Sequence, residues 1–282
     1  MRISYRKLET LHQLEEVSQL DALIWEANPI PTHQTLTAVK NGGLCIGAFH
    51  NEKMIGFVYG FAGYVEKEVY LCSHMMGIHP AYQNQGIGYR LKMKQAEEAK
   101  ILGYHTIRWT YDPLEMRNGF LNISKLGAIC SEYIENCYGD MNDRFNQGLP
   151  SDRFHVEWFI DSPYQHQRYY LFAGQTIQKQ ALLAEWEVVA DLPRITRKKT
   201  IDEQLPSEAY FIPIPSRFQE IKKQDISLAK EWRSQTREIF QHSFQLGWTV
   251  ANVIQPSDEP VSFYALAKRD SLSLNDADTR RT

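Results

Sequence analysis

Gln83-Asn84-Gln85-Gly86-Ile87-Gly88 lies between an apolar, strand-like run and an amphipathic, helix-like one. The first-turn amides of a helix lack intrahelical partners, and the helix dipole is positive there. Gly86 and Gly88 carry no Cβ, so a diphosphate could approach the backbone closely. A dinucleotide site would want a third glycine where Leu91 stands and a βαβ order before it. Both are missing, and three consecutive strands come first. A phosphate loop would want a Gly-Lys-Ser/Thr ending, also missing. The plain alternative is a glycine-rich turn that binds nothing. The sequence contains no His-Glu-x-x-His, no paired-cysteine motif and no Gly-x-Ser-x-Gly elbow, so neither a metal site nor that serine nucleophile is expected.

The elements that must position this turn are legible on both sides of it. "ISYRKLET" alternates as a strand, and Thr10 to Gln13 forms a capping box opening an amphipathic helix over "LHQLEEVSQLDALIWEA". A short helix is expected from Pro31 to Lys40. Strands "GLCIGAFHN", "KMIGFVYGFAGY" and "EVYLCSHMMGIHP" follow, the first two joined by a tight turn at Asn51–Glu52. The helix from Gly86 places Ile87, Leu91, Ala99 and Leu102 on one face and ends at Gly103. "TIRWTYDP" reads as a strand, "EMRNGFLNISKLGA" as a helix closed by Gly127, and "ICSEYIENCYGD" and "DRFHVEWFI" as strands.

After Asp161 the texture changes. Residues 162–180 are glutamine-rich and aperiodic, and a charged, proline-punctuated stretch runs to Pro215. Ser216 to Gln219 forms a second capping box before one or two helices, with Phe218, Ile221, Trp232, Ile239 and Phe240 expected inside. "WTVANVI" and "VSFYALAKR" suit a closing strand pair. The division expected is 1–160 and 161–282, with the later strands extending the first sheet and the last dozen or so residues frayed.

The chain has 282 residues, 43% of them hydrophobic, and a net charge of −3. Near neutrality disfavours a nucleic-acid partner, and the short basic stretches at 194–199 and 280–281 read as surface or linker. No window approaches a membrane span, and the N-terminus has no apolar core of signal length. Cys45, Cys72, Cys130 and Cys137 are scattered, as reduced thiols of a cytoplasmic protein would be.

The hexapeptide also fits the form Gln/Arg-x-x-Gly-x-Gly/Ala, the pyrophosphate cradle of acyl-CoA-dependent transferases. Residues 3 to about 140 resemble the GNAT superfamily of N-acyltransferases in element order. "MMGIHPAYQNQGIGYRLKMKQAEEAKILGY" matches that family's central motif, and "NGFLNISKLGA" its second. "WTYDPLEMRN", "NCYGD" and "GLPSDRFHVEW" resemble a bacterial subgroup with a C-terminal extension. The resemblance implies an α+β GNAT fold (α/β by some schemes): a mixed, mostly antiparallel sheet flanked by helices, with an α+β extension. It implies acetyl-CoA or succinyl-CoA as co-substrate and no metal. The acceptor implied is a small-molecule amine, an amino acid as the specific expectation, with neither nucleic acid nor membrane as partner. A homodimer is compatible with it.

Carried onto this sequence, the resemblance lays the pantetheine arm along the backbone of Met76 and Ile78. The diphosphate then rests on Gln83, Asn84, Gln85, Gly86, Ile87, Gly88 and Tyr89, and Asn118 presents an amide to the arm or diphosphate. The acceptor attacks the thioester directly, leaving two tasks: deprotonating the amine and protonating the thiolate. Cys72 stands where the family often has a glutamate, and Ile123 where it often has a tyrosine. Local candidates are therefore His74 as base, on the same strand face as Cys72, Tyr138 as acid, and Asp112. Each has a structural alternative: a sheet-bound histidine, a core aromatic, a turn aspartate before Pro113. Tyr111 ends its strand where the cleft should open. Arg153 and Arg117 are candidates to grip a substrate carboxylate, with a surface ion pair as the alternative. The missing glutamate and tyrosine also keep open a silent acyl-CoA-binding sensor.

Overall fold

A computed structural model describes residues 2–141, 147–173, 177–203 and 206–274. The chain forms two compact units. The first is Met1–Trp109 with Trp158–Ile160, and the second is Thr110–Glu157 with Asp161–Thr282. Packing thus draws its border at Thr110, where sequence texture suggests one near 161.

In the first unit, the sheet runs β1 (Ser4–Lys7), β2 (Leu44–His50), β3 (Lys53–Val65), β4 (Glu68–Ile78) and the start of β5 (Thr106–Tyr111). Pairing is antiparallel except between β4 and β5. Helix α1 (Leu11–Trp25) opens with the expected Thr10–Gln13 capping box, and α2 (Thr32–Lys40) follows. Leu14, Val17 and Leu20 pack with Cys45, Phe57 and Tyr59 on one face of the sheet. On the other face Ile87 and Leu91 of α3 (Ile87–Ile101) pack with Ile46, Ile55 and Val58. Leu102 is exposed, because the helix has already ended there and it caps rather than packs.

A β-bulge interrupts the β3–β4 ladder. Tyr59 opposes Met75 and Phe61 opposes Cys72, so Ser73 and His74 together face Gly60. On its other edge β4 pairs with β5 only at Leu71–Ile107 and Cys72–Arg108. The ladder ends where the bulge begins.

The sheet of the second unit runs β7 (Arg153–Phe159, its end belonging to the first unit), β6 (Ile129–Ile134), β11 (Trp248–Ile254), β12 (Val261–Lys268) and β10 (Tyr210–Pro215), antiparallel throughout its described pairs. The late strands thus continue a sheet begun by β6 and β7. Helix α4 (Met116–Gly119) passes into a π-helical turn, Phe120–Lys125, which Gly127 closes at φ +75°. The aperiodic stretch after Asp161 contains α5 (Tyr164–Leu171), anchored by buried Tyr164. A hairpin of β8 (Ala184–Val189) and β9 (Leu192–Lys198) follows. Helices α6 (Phe218–Gln224) and α7 (Ile226–Gln245) bury all five residues expected inside. The expected capping box at Ser216 does not form: the Ser216 hydroxyl pairs with that of Ser262, and α6 starts uncapped from Arg217. Of the tail expected to fray, residues 275–282 lie outside the described residues.

Candidate active site

The first unit holds the glycine turn. After β4, a 3-10 turn at Pro80–Tyr82 leads into it, and Gln83 Nε2 donates to Ile78 O at 3.3 Å, tying the loop to the strand. Gly86 is the N-cap of α3 with φ +75°, and no side chain caps the helix. A Cβ at Gly86 would meet nothing within 4 Å. The helix therefore opens on bare first-turn amides beside free space, a disposition suited to an anion. A Cβ at Gly88 would lie 3.3 Å from side-chain carbons of Ile78 and Met76. Ile87 is buried, leaving only its backbone to face a ligand, while Asn84 adopts φ +64° and Tyr89 is exposed. Met76 and Ile78 turn their side chains into the α3-facing core and pair with Val58 and Gly56 of β3.

His74 lies on the bulge, with its ring 5.6 Å from Phe61 and 6.2 Å from Tyr59. Cys72, directly opposite Phe61, shares that side, so the bulge leaves the two together. Although His74 keeps solvent access, packing desolvates the ring and lowers its pKa, with the Asp21 charge opposing. Neutral imidazole, the form a base needs, is thereby favoured. Burial raises the Cys72 pKa, opposed by Lys92.

Beneath the bulge lies a cluster that the sequence reading missed. Lys92, 3% exposed, donates from Nζ to Ser73 Oγ at 2.7 Å and stands 3.6 Å above the Trp109 ring. Ser73 Oγ in turn donates to Oε1 of fully buried Gln95 at 2.9 Å. Burial pulls the Lys92 pKa from 10.5 down to about 7, with Cys72 opposing. The signal was present: Gly88, Leu91, Lys92, Gln95, Ala96 and Ala99 share the buried stripe of α3, so two polar residues occupy core-facing positions.

The second unit revises several expectations. Tyr111 is buried; its hydroxyl lies 3.1 Å from that of Tyr264, and burial, with Tyr264 and Cys130 nearby, lifts its pKa well above the ordinary value. It is a core residue rather than a substrate contact. Asp112 accepts two bonds from the buried Arg233 guanidinium, at 2.8 and 2.5 Å, and one from the Leu114 amide at 2.8 Å. A carboxylate held by a two-point ion pair is a structural anchor, not an available base. Arg153 is also buried: Nη1 donates to Asp152 O at 2.8 Å, and the guanidinium carbon lies 5.4 Å from the Tyr138 ring. That engagement takes it off the list of carboxylate grips. Arg117 and Asn118 are exposed on α4. Tyr138 is exposed, with its hydroxyl 2.7 Å from Thr110 Oγ1. Among the described residues no group of three His, Cys, Asp or Glu could hold a metal ion.

Residues 8–117 match the sequence model of the acetyltransferase (GNAT) family. The sheet of that stretch, mixed and mostly antiparallel between two helical layers, has the GNAT fold. Among solved structures, the chain is similar to a GNAT-family acetyltransferase from Streptococcus pneumoniae (16% identity, TM-score 0.45), covering 55% of this chain and 98% of that one. It is similar also to the ribosomal-protein-S18-alanine N-acetyltransferase of Escherichia coli (19%, 0.45), covering 56% and 94%. An aminoglycoside acetyltransferase from an uncultured soil metagenomic sample gives 15% and 0.36, over 41% and 81%. No curated protein compared with the chain matches it.

Proposed function

We propose that the protein transfers an acetyl or succinyl group from acyl-CoA to the primary amine of a small molecule by direct attack. The observation that carries this reading is the uncapped start of α3 at Gly86, placed just after the strand whose ladder to β5 ends at Cys72. The amides at 84–89 would hold the diphosphate, and the backbone of Met76 and Ile78 would pair with the pantetheine arm. His74 is the proposed base and Tyr138 the proposed acid, with Asn118 as a further contact to CoA. Arg117 is the proposed carboxylate contact for an amino-acid acceptor; Asp112, Tyr111 and Arg153, engaged within the protein, have no part in it. The 161–282 extension is proposed to narrow the choice of acceptor.

Thiol release from acetyl-, succinyl- and longer acyl-CoA, followed over a panel of amino acids of both hands, other amines and peptides, tests the reading. Amine-dependent release supports it. Tight CoA binding without amine-dependent release would favour a silent acyl-CoA sensor. Activity confined to peptides or carboxylate-free amines would defeat the amino-acid acceptor.

A further inference from the structure

Lys92 has an environment that ordinary packing does not explain. The last pairs of the β4–β5 ladder are Leu71–Ile107 and Cys72–Arg108, so the next residues along the two strands are Ser73 and Trp109. Lys92 Nζ meets both: it donates to Ser73 Oγ at 2.7 Å and stands 3.6 Å above the Trp109 ring. The amine thus lies beneath the point where the strands part. Gln95, the remaining polar neighbour, is fully buried, and its Nε2 has no hydrogen-bond partner. Among the described residues no carboxylate forms an ion pair with Lys92. Cys72 on β4 is the ionisable group whose charge acts on it; β5 presents Trp109, and α3 presents Gln95.

A buried ammonium without a counter-ion is costly, and replacing it with an apolar side chain would ordinarily stabilise a core. Its presence is rational where an anion forms only during the reaction. Resting on the acyltransferase reading above, we propose that Lys92 is the buried cation that stabilises the leaving thiolate of CoA at the parting of β4 and β5. As the acceptor nitrogen attacks the thioester carbonyl carbon, the new N–C bond forms and the C–S bond breaks. The C–S electron pair goes to sulfur, and the amine proton goes to the base. Lys92 keeps its protons and acts by charge alone. Its pKa of about 7 keeps an ammonium fraction at neutral pH that a nearby thiolate would enlarge.

The test is the thiol pKa of bound CoA, read from thiolate ultraviolet absorbance with the desulfo-CoA complex as blank. Wild type should show a value lower by about one unit or more than Lys92→Met, a change that conserves the shape of the core. Equal values in two variants that both bind CoA would overturn the inference and leave the acyltransferase reading standing. Failure of wild type to bind CoA would overturn that reading, and the inference with it. Should Lys92→Met not fold, the titration of the Lys92 side chain in wild type, followed by NMR, decides. An upward shift with CoA relative to desulfo-CoA supports the proposal, and identical titrations overturn it.

Discussion

His74 and Lys92 lie on opposite sides of one bulge, and burial lowers the pKa of both. For His74 the expected consequence is kinetic. Turnover should show an acidic limb with its midpoint below 6.5, the ordinary histidine value. His74→Ala should reduce turnover about 10²-fold or more, abolish that limb and leave acyl-CoA affinity nearly unchanged. Unaltered turnover at saturating amine would return His74 to a packing role. For Lys92 a thermodynamic consequence is added. Between about 7 and 10.5 the unfolded chain carries the proton that the folded chain has lost, so this residue makes stability rise with pH across that window. Below the window both states are charged, and the burial penalty is complete. Lys92→Met should therefore be the more stable protein at neutral pH. Its advantage should shrink by up to about 1.4 kcal/mol per pH unit as pH rises, measured by denaturant unfolding. A constant gap would contradict the depressed lysine.

At the scale of elements, what was legible in the sequence followed from local rules. The Thr10 cap, the three consecutive strands and the glycine that opens α3 each carry their signal within a few residues. What was not legible depended on partners far along the chain. Asp112 reads as a candidate base in the sequence, and Arg233, 121 residues later on α7, holds it in an ion pair. The Ser216 box failed for a similar reason, since Ser262 on β12 takes its hydroxyl. Helix α5 has a polar, aromatic sequence without an apolar stripe, and a single buried tyrosine secures it. The Asp112–Arg233 pair, with side chains 13% and 2% exposed, gives α7 a definite mechanical role. Asp112→Ala would leave a buried guanidinium unpaired and should destabilise the second unit by about 3–5 kcal/mol. A loss under 1 kcal/mol in chemical denaturation would show that the pair contributes little. In the first unit, Gly88→Val should weaken CoA binding through bulk alone, because Ile78 and Met76 already close on that position. Undiminished binding would mean that pushing the first turn of α3 away from Ile78 and Met76 leaves the CoA site undisturbed.

For the molecule as a whole, the proposed function lays acyl-CoA on residues 8–117 and the choice of acceptor on the remainder. None of its described helices is long and apolar enough to cross a membrane. The net charge of −3 offers no general attraction for polyanions, so affinity for CoA must come from a local site. The Gly86 turn is the site proposed for it. Calorimetric titration of CoA into wild type, Gly86→Ala and Gly86→Glu tests it most directly. Alanine at φ +75° carries backbone strain of about 1–2 kcal/mol without charge, and glutamate adds bulk and a negative charge where the diphosphate would rest. A diphosphate site at Gly86 predicts clear binding by wild type, weakened binding by Gly86→Ala and none by a folded Gly86→Glu. Near-native CoA affinity in folded Gly86→Glu, or no binding by wild type, would contradict it.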